Sequence, residues 1–109
     1  MAKILVLVNS GPAEKLKVLS GLAFARVAHD RGAEVRVIFF ADGVRVPLAQ
    51  DPDFGEPLAA LAERGIVPLV CRRILETTGG PLELAGFEVT YIGADLVRAA
   101  DEGFQVVSF

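Results

Sequence analysis

The sequence predicts an α/β protein: five strands in a mainly parallel sheet with helices on both faces. Three observations carry that expectation. Short runs of branched apolar residues recur along the chain, and a segment of helical periodicity follows each until the last. The first run, KILVLVN at 3–9, is apolar without alternation, as a strand covered on both faces must be. Strands that alternate with helices in this way imply right-handed βαβ crossovers. A chain of 109 residues suits one domain, spanning residues 1–109, with a core large enough to need no disulfide or metal.

After strand one, Ser10-Gly11 turns the chain. Pro12 suits the first turn of a helix with Ser10 or Gly11 as its cap, and the helix is expected from about residue 13 to residue 31. Leu16, Leu19, Ala23 and Val27 recur at helical spacing, with Lys15, Lys17, Arg26 and Asp30 toward water. Val18, Leu22 and Ala25 widen the apolar face and hint at a partner surface. Gly32 ends the helix. EVRVIFF (34–40) is strand two. ADGVRVPLAQDPDFGEP (41–57), with three prolines and two glycines, reads as a long connection. Pro57 then opens a short helix, LAALAER, closed by Gly65. IVPLVC (66–71) is strand three; Pro68 removes a ladder donor and marks a bulge or an edge position. RRILETT (72–78) is a short helix, Gly79-Gly80-Pro81 a break, and LELAGF (82–87) a turn of helix. EVTYIG (88–93), ADLVRAADE (94–102) and FQVVSF (104–109) follow as strand, helix and strand.

The bulk numbers exclude several function classes. A net charge of −3 with no basic block argues against nucleic-acid binding. Mean hydropathy is +0.47, high for a small domain, yet no stretch approaches the roughly 20 uncharged apolar residues of a membrane span. The apolar excess therefore points to self-association rather than to a membrane. One cysteine excludes an internal disulfide framework, and one cysteine with one histidine is too few for a zinc site within one subunit. The Met-Ala-Lys start enters a strand directly, without a signal peptide, and a cytoplasmic protein is expected.

In open α/β sheets ligands bind outside the carboxyl ends of the strands. Three segments belong there: Asn9-Ser10-Gly11, Asp42-Gly43-Val44 and Cys71-Arg72-Arg73. Cys71 is the strong nucleophile among them. As N-cap of RRILETT it would meet free N–H groups, which favour a thiolate, as do Arg72 and Arg73. Burial opposes the charge. The residues leave two readings open, a reactive thiol and a buried apolar filler. The arginine pair suits an anionic sulfur donor. Asn9, Ser10 and Gly11 could hold an anion on backbone N–H groups or simply turn the chain. Asp42 before Gly43 shapes a turn. His29 lies on the charged side of the first helix, and Tyr91 and the phenylalanines read as core or interface. Neither G-x-G-x-x-G nor a Walker pattern is present.

The opening ILVLVNSGP, FFADGV after strand two, GIVPLVC with its terminal cysteine, and the closing ADLVRAADEGFQVVSF come in an order and spacing that resembles the DsrE/DsrF-like family (DsrE, TusD and YchN types) of small sulfur-relay proteins. The likeness covers nearly the whole chain. It implies a five-stranded, flavodoxin-like, three-layer sandwich that assembles as trimers or hexamers. It also implies that Cys71 accepts sulfane sulfur as a persulfide from a donor protein and hands it to an acceptor, with no metal or organic cofactor. Some family members lack the working cysteine, so a non-enzymatic oligomeric binding or scaffold module with an inert Cys71 is the alternative. Flavin or phosphoacceptor chemistry fits less well, because NSGPAEK has one hydroxyl and no acidic cluster follows strand one.

Overall fold

The computed structural model describes residues 1–109. Five strands form one sheet in the order β4-β3-β2-β1-β5, every pair parallel. They are β1 (Lys3–Val8), β2 (Glu34–Phe39), β3 (Leu69–Cys71), β4 (Glu88–Thr90) and β5 (Gln105–Ser108). Between them run α1 (Lys15–Asp30), α2 (Arg45–Leu48), α3 (Pro52–Glu63), α4 (Arg72–Thr78) and α5 (Ile92–Asp101). Two 3-10 turns, Pro12–Glu14 and Ala41–Val44, lead into α1 and α2.

The strand order dictates the layers. β1 to β4 step steadily across the sheet, so right-handed crossovers put their helices on one face. The return from β4 to β5 crosses the other way, which sends α5 to the opposite face, where it packs on β3. The expected flavodoxin-like three-layer sandwich is the result. Its core is built from Leu5, Val6 and Val8 of β1, Val37, Ile38 and Phe39 of β2, Val70 of β3, and the inner faces of the helices. No helix is long and apolar enough to cross a membrane.

The buried face of α1 is Val18, Gly21, Leu22, Ala25 and Ala28. The residues expected to widen the face toward a partner are thus the core face, whereas Leu16, at 80% exposure, Ala23 and Val27 look outward. Both stripes have helical spacing; only the position of the sheet decides between them.

The connection over 41–57 is more ordered than its prolines suggest. α3 starts at Pro52, not at Pro57. Asp51 caps it by accepting the Asp53 N–H at 2.9 Å, and Pro52 occupies a first-turn position where no donor is needed. Pro57 sits inside α3 and lacks the N–H that would reach the Asp53 carbonyl, a defect that buried Phe54 and Leu61 offset by anchoring the helix on either side. α1 and α3 lie side by side and are tied at both ends. Lys15 Nζ is 2.8 Å from both Asp51 Oδ2 and Asp53 Oδ2, and Arg64 grips Asp30 through Nε at 2.7 Å and Nη2 at 2.9 Å. The hydrogen bond from Lys15 holds the Asp51 carboxyl below the usual carboxylate range.

Strands three and four are shorter than read. β3 begins after Pro68, so the missing donor falls outside the ladder, and the Pro68 carbonyl accepts from Glu88 at 3.0 Å. β3 is thereby an interior strand. Edge strand β4 ends at Thr90, and Ile92 and Gly93 enter α5 instead of extending it. LELAGF holds a bend and a turn, not helix.

The Asp30–Arg64 pair gives an acid-stability prediction. Asp30 titrates at about 2 instead of 3.8, chiefly through the hydrogen bond from Arg64. Its folded value lies below its unfolded one, so its stabilisation is complete above pH 3.8 and disappears as pH falls through about 2. Urea unfolding at stepped pH should show a shallower loss of stability over that window for Asp30→Asn than for wild type. Equal slopes would remove the pair from acid denaturation.

Candidate functional site

Because all strands are parallel, their carboxyl ends gather on one edge. The three segments nominated by sequence do meet there, but they do not form one site. At the β1 and β2 ends the contacts are tight and internal. A Cβ on Gly43 would lie 1.9 Å from the Val8 carbonyl oxygen, and one on Gly11 would lie 2.8 Å from that of Asp42. The N–H groups of Asn9 and Ser10 donate to the Phe109 carbonyl oxygen at 2.8 and 3.2 Å, so that backbone is already engaged. Gly11 is the N-cap of the 3-10 turn Pro12–Glu14, with Pro12 in its first turn, and that turn leads into α1, whose own cap position Glu14 holds without a side-chain bond; Ser10 caps neither. The Asp42 carboxylate is exposed and faces Arg45 at 3.5 Å.

Cys71 lies elsewhere on the edge, at the end of β3 beside the end of β4. Its ladder partner is Thr90, and Tyr91 follows. The crossovers part at this point: β3 feeds α4 on one face and β4 feeds α5 on the other, which is where open α/β sheets leave a crevice. A pocket of about 400 Å³ occupies it, lined by Phe40, Cys71, Arg73, Tyr91, Ile92, Gly93, Ala94 and Leu96. Cys71 is 4% exposed, sharing the core with its neighbours while forming part of the pocket wall. It is the N-cap residue of α4, and Tyr91 that of α5; neither helix has a side-chain cap. The first-turn N–H groups of Ile92, Gly93 and Ala94, at the start of a ten-residue helix, therefore border the pocket without an intrahelical partner.

The two arginines after Cys71 differ in environment. Arg72 Nε stands 3.4 Å from Glu76 Oε2, and its guanidinium lies 5.4 Å from the centre of the Tyr91 ring. Tyr91 Oη donates to Glu76 at 2.9 and 3.1 Å. These three side chains clasp α4 to the start of α5 beside the pocket. Arg73 lines the pocket, is exposed and makes no ion pair. Segment 43–56 forms part of the 3-10 turn, α2 and the start of α3, and none of its residues lines the pocket.

Phe40, Tyr91 and Gly93 escaped the sequence reading as site residues. Tyr91 was harder to see, since the expected strand ran on to Gly93, whereas Tyr91 directly follows the end of β4 on the same edge as Cys71. Phe40 continues the extended path of β2, its N–H donating to the Val8 carbonyl oxygen at 3.0 Å, and Ala41, a non-glycine residue at φ +53, turns the chain after it. That conformation costs an alanine about 1–2 kcal/mol. No sequence pattern announces it.

An all-parallel three-layer α/β sandwich with a cysteine in an edge pocket defines the class. The chain belongs to the DsrE/DsrF-like family, whose model matches residues 2–109. Among solved structures, the YchN protein from E. coli superposes with a TM-score of 0.84 at 18% identity, over 100% of both chains. MTH1491, a protein of unknown function from Methanobacterium thermoautotrophicum, gives 0.79 at 19% identity, again over 100% of both chains. BT1422, a conserved protein of unknown function from Bacteroides thetaiotaomicron, gives 0.70 at 19% identity, over 98% of this chain and 94% of the other. These three likenesses concern the fold alone. No functionally curated protein matches the chain.

The Gly43 contact makes the edge testable. Gly43→Ala should lower unfolding free energy by about 3 kcal/mol, because the obstructing atoms are backbone and cannot rotate away. Gly55→Ala, inside α3 with open space around its Cα, should raise it by about 0.5–1 kcal/mol. Urea titration of both variants checks this; equal effects would refute the close-approach account.

Proposed function

We propose that this protein is a sulfur-relay protein that carries sulfane sulfur as a persulfide on Cys71. One observation carries the reading: the single thiol of the chain lies in the wall of an apolar pocket at the carboxyl edge, where the crossovers part. Membership of the DsrE/DsrF-like family supports it.

The chemistry is thiol–persulfide exchange. The Cys71 thiolate attacks the outer sulfur of a donor persulfide, R–S–SH. The new Cys71 Sγ–S bond forms as the donor S–S bond breaks, and R–S⁻ leaves with the electron pair. An acceptor thiolate then attacks the outer sulfur of Cys71–S–SH and releases the Cys71 thiolate. No net oxidation occurs in either step, and neither requires a metal or organic cofactor. Rates follow thiolate fraction, the leaving thiol and access to the sulfur. The apolar walls from Phe40, Ile92 and Leu96 limit water at the bound persulfide, and the first-turn N–H groups of α5 offer donors to developing negative charge.

A closed homo-oligomer, a trimer or hexamer, acting in the cytoplasm between a persulfide donor and an acceptor, completes the proposal. Leu16 at 80%, Val97 at 63% and Val106 at 51% exposure supply apolar surface for association. A second reading, an oligomeric binding module with an inert thiol, is favoured by the 4% exposure of Cys71.

Intact-mass spectrometry after incubation with a persulfide donor separates the two. Wild type should gain one sulfur atom, lose it to an added acceptor thiol, and react readily with a thiol reagent in the native state. Cys71→Ser, with an unchanged circular dichroism spectrum, should gain none. A gain that persists in the variant, or a native thiol that stays unreactive, defeats the relay reading.

A further inference from the structure

Arg73 is the one charged residue lining the Cys71 pocket; the other liners are apolar or, in Tyr91, phenolic, besides the thiol itself. Its neighbour Arg72 is held by Glu76 and lies over the Tyr91 ring, so of the two cations only Arg73 faces the pocket without a carboxylate partner. A guanidinium keeps its charge throughout the neutral range and presents a planar fork that matches a carboxylate. The pocket, at about 400 Å³, falls within the roughly 300–1,000 Å³ range of small-molecule sites. A folded protein donor would have to present its persulfide on an extended segment to enter a space this small.

Resting on the persulfide reading of Cys71, we infer that Arg73 selects the donor: the pocket takes a low-molecular-weight persulfide bearing a carboxylate, whose sulfur end reaches Cys71 while the carboxylate pairs with Arg73. The transfer is the exchange written above, with R a small carboxylated thiol. The donor S–S bond breaks, the Cys71 Sγ–S bond forms, and R–S⁻ departs with the electron pair. Arg73 takes no part in bond making. It raises local donor concentration and orients the donor.

Glutathione persulfide and its diethyl ester, in which both carboxylates are blocked, provide the probes. Loading of wild type, followed by intact mass against time at low ionic strength, should be about threefold faster from the acid than from the ester, and added salt should shrink the difference. Arg73→Gln should bring the acid-to-ester rate ratio to about one, whatever a change in thiolate fraction does to both rates together. Arg73→Lys should retain part of the preference, since charge survives and the fork does not. Arg31→Gln, which removes the same charge from the far end of α1, should leave the preference intact. The inference fails if wild type shows no preference, if Arg73→Gln slows both donors equally, or if only a persulfidated protein loads Cys71. Inorganic polysulfide distinguishes the deeper failure. If it loads wild type and not Cys71→Ser, the relay reading survives whatever happens to Arg73. If polysulfide, both small persulfides and a persulfidated protein all leave the wild-type mass unchanged, the relay reading falls and the donor assignment falls with it.

Discussion

Because every strand in the sheet runs the same way, each crossover must leave from one edge and return to the other. Strand ends and helix starts are therefore forced together on a single side of the molecule. Handedness then fixes which face each helix takes, and the reversal after β4 is the one place where neighbouring connections diverge. The pocket beside Cys71 is the space left by that divergence. No residue in it has to be special for the cavity to exist; the topology opens it, and the side chains at the ends of β3 and β4 give it character.

The same edge contains two regions of opposite kind. Around the ends of β1 and β2, glycines let backbone approach backbone, and the Phe109 carbonyl takes the amides of Asn9 and Ser10. That region is closed and bears on stability. Around β3 and β4 the helices start uncapped by side chains, an aromatic clasp stands on one side, and an unpaired guanidinium remains. That region is open and bears on chemistry. Parallel pairing places the two side by side without merging them, which is why three strand ends that look equivalent in a list of residues are not equivalent in space.

The helix layer on one face illustrates how weak contacts combine. Exposed ion pairs contribute little singly. Here Lys15 and Arg64 act at opposite ends of the same helix pair, so they set the relative register of α1 and α3 while buried Phe54 and Leu61 hold the packing. This arrangement lets Pro57 persist inside α3. A helix lacking tertiary anchors would be interrupted there, and local propensity read from the sequence gave that interruption as the start of the element.

Much of the fold was legible from local pattern alone. The unbroken apolar runs of β1 and β2 marked buried parallel strands, the alternation with helices marked crossovers, and the cysteine closing GIVPLVC marked the edge where chemistry belongs. These features depend on neighbouring residues, so one chain suffices to read them. Tertiary structure alone decided the rest. It chose which of two equally periodic stripes of α1 faces the sheet, capped α3 five residues earlier than its prolines suggested, and shortened β4 because an edge strand pairs only as far as its partner extends. It also turned the chain after Phe40 through the strained Ala41 and bound Arg72 to Glu76 while leaving Arg73 free. Each of these outcomes depends on contacts between segments distant in the chain, and a local pattern contains no information about which segments those will be.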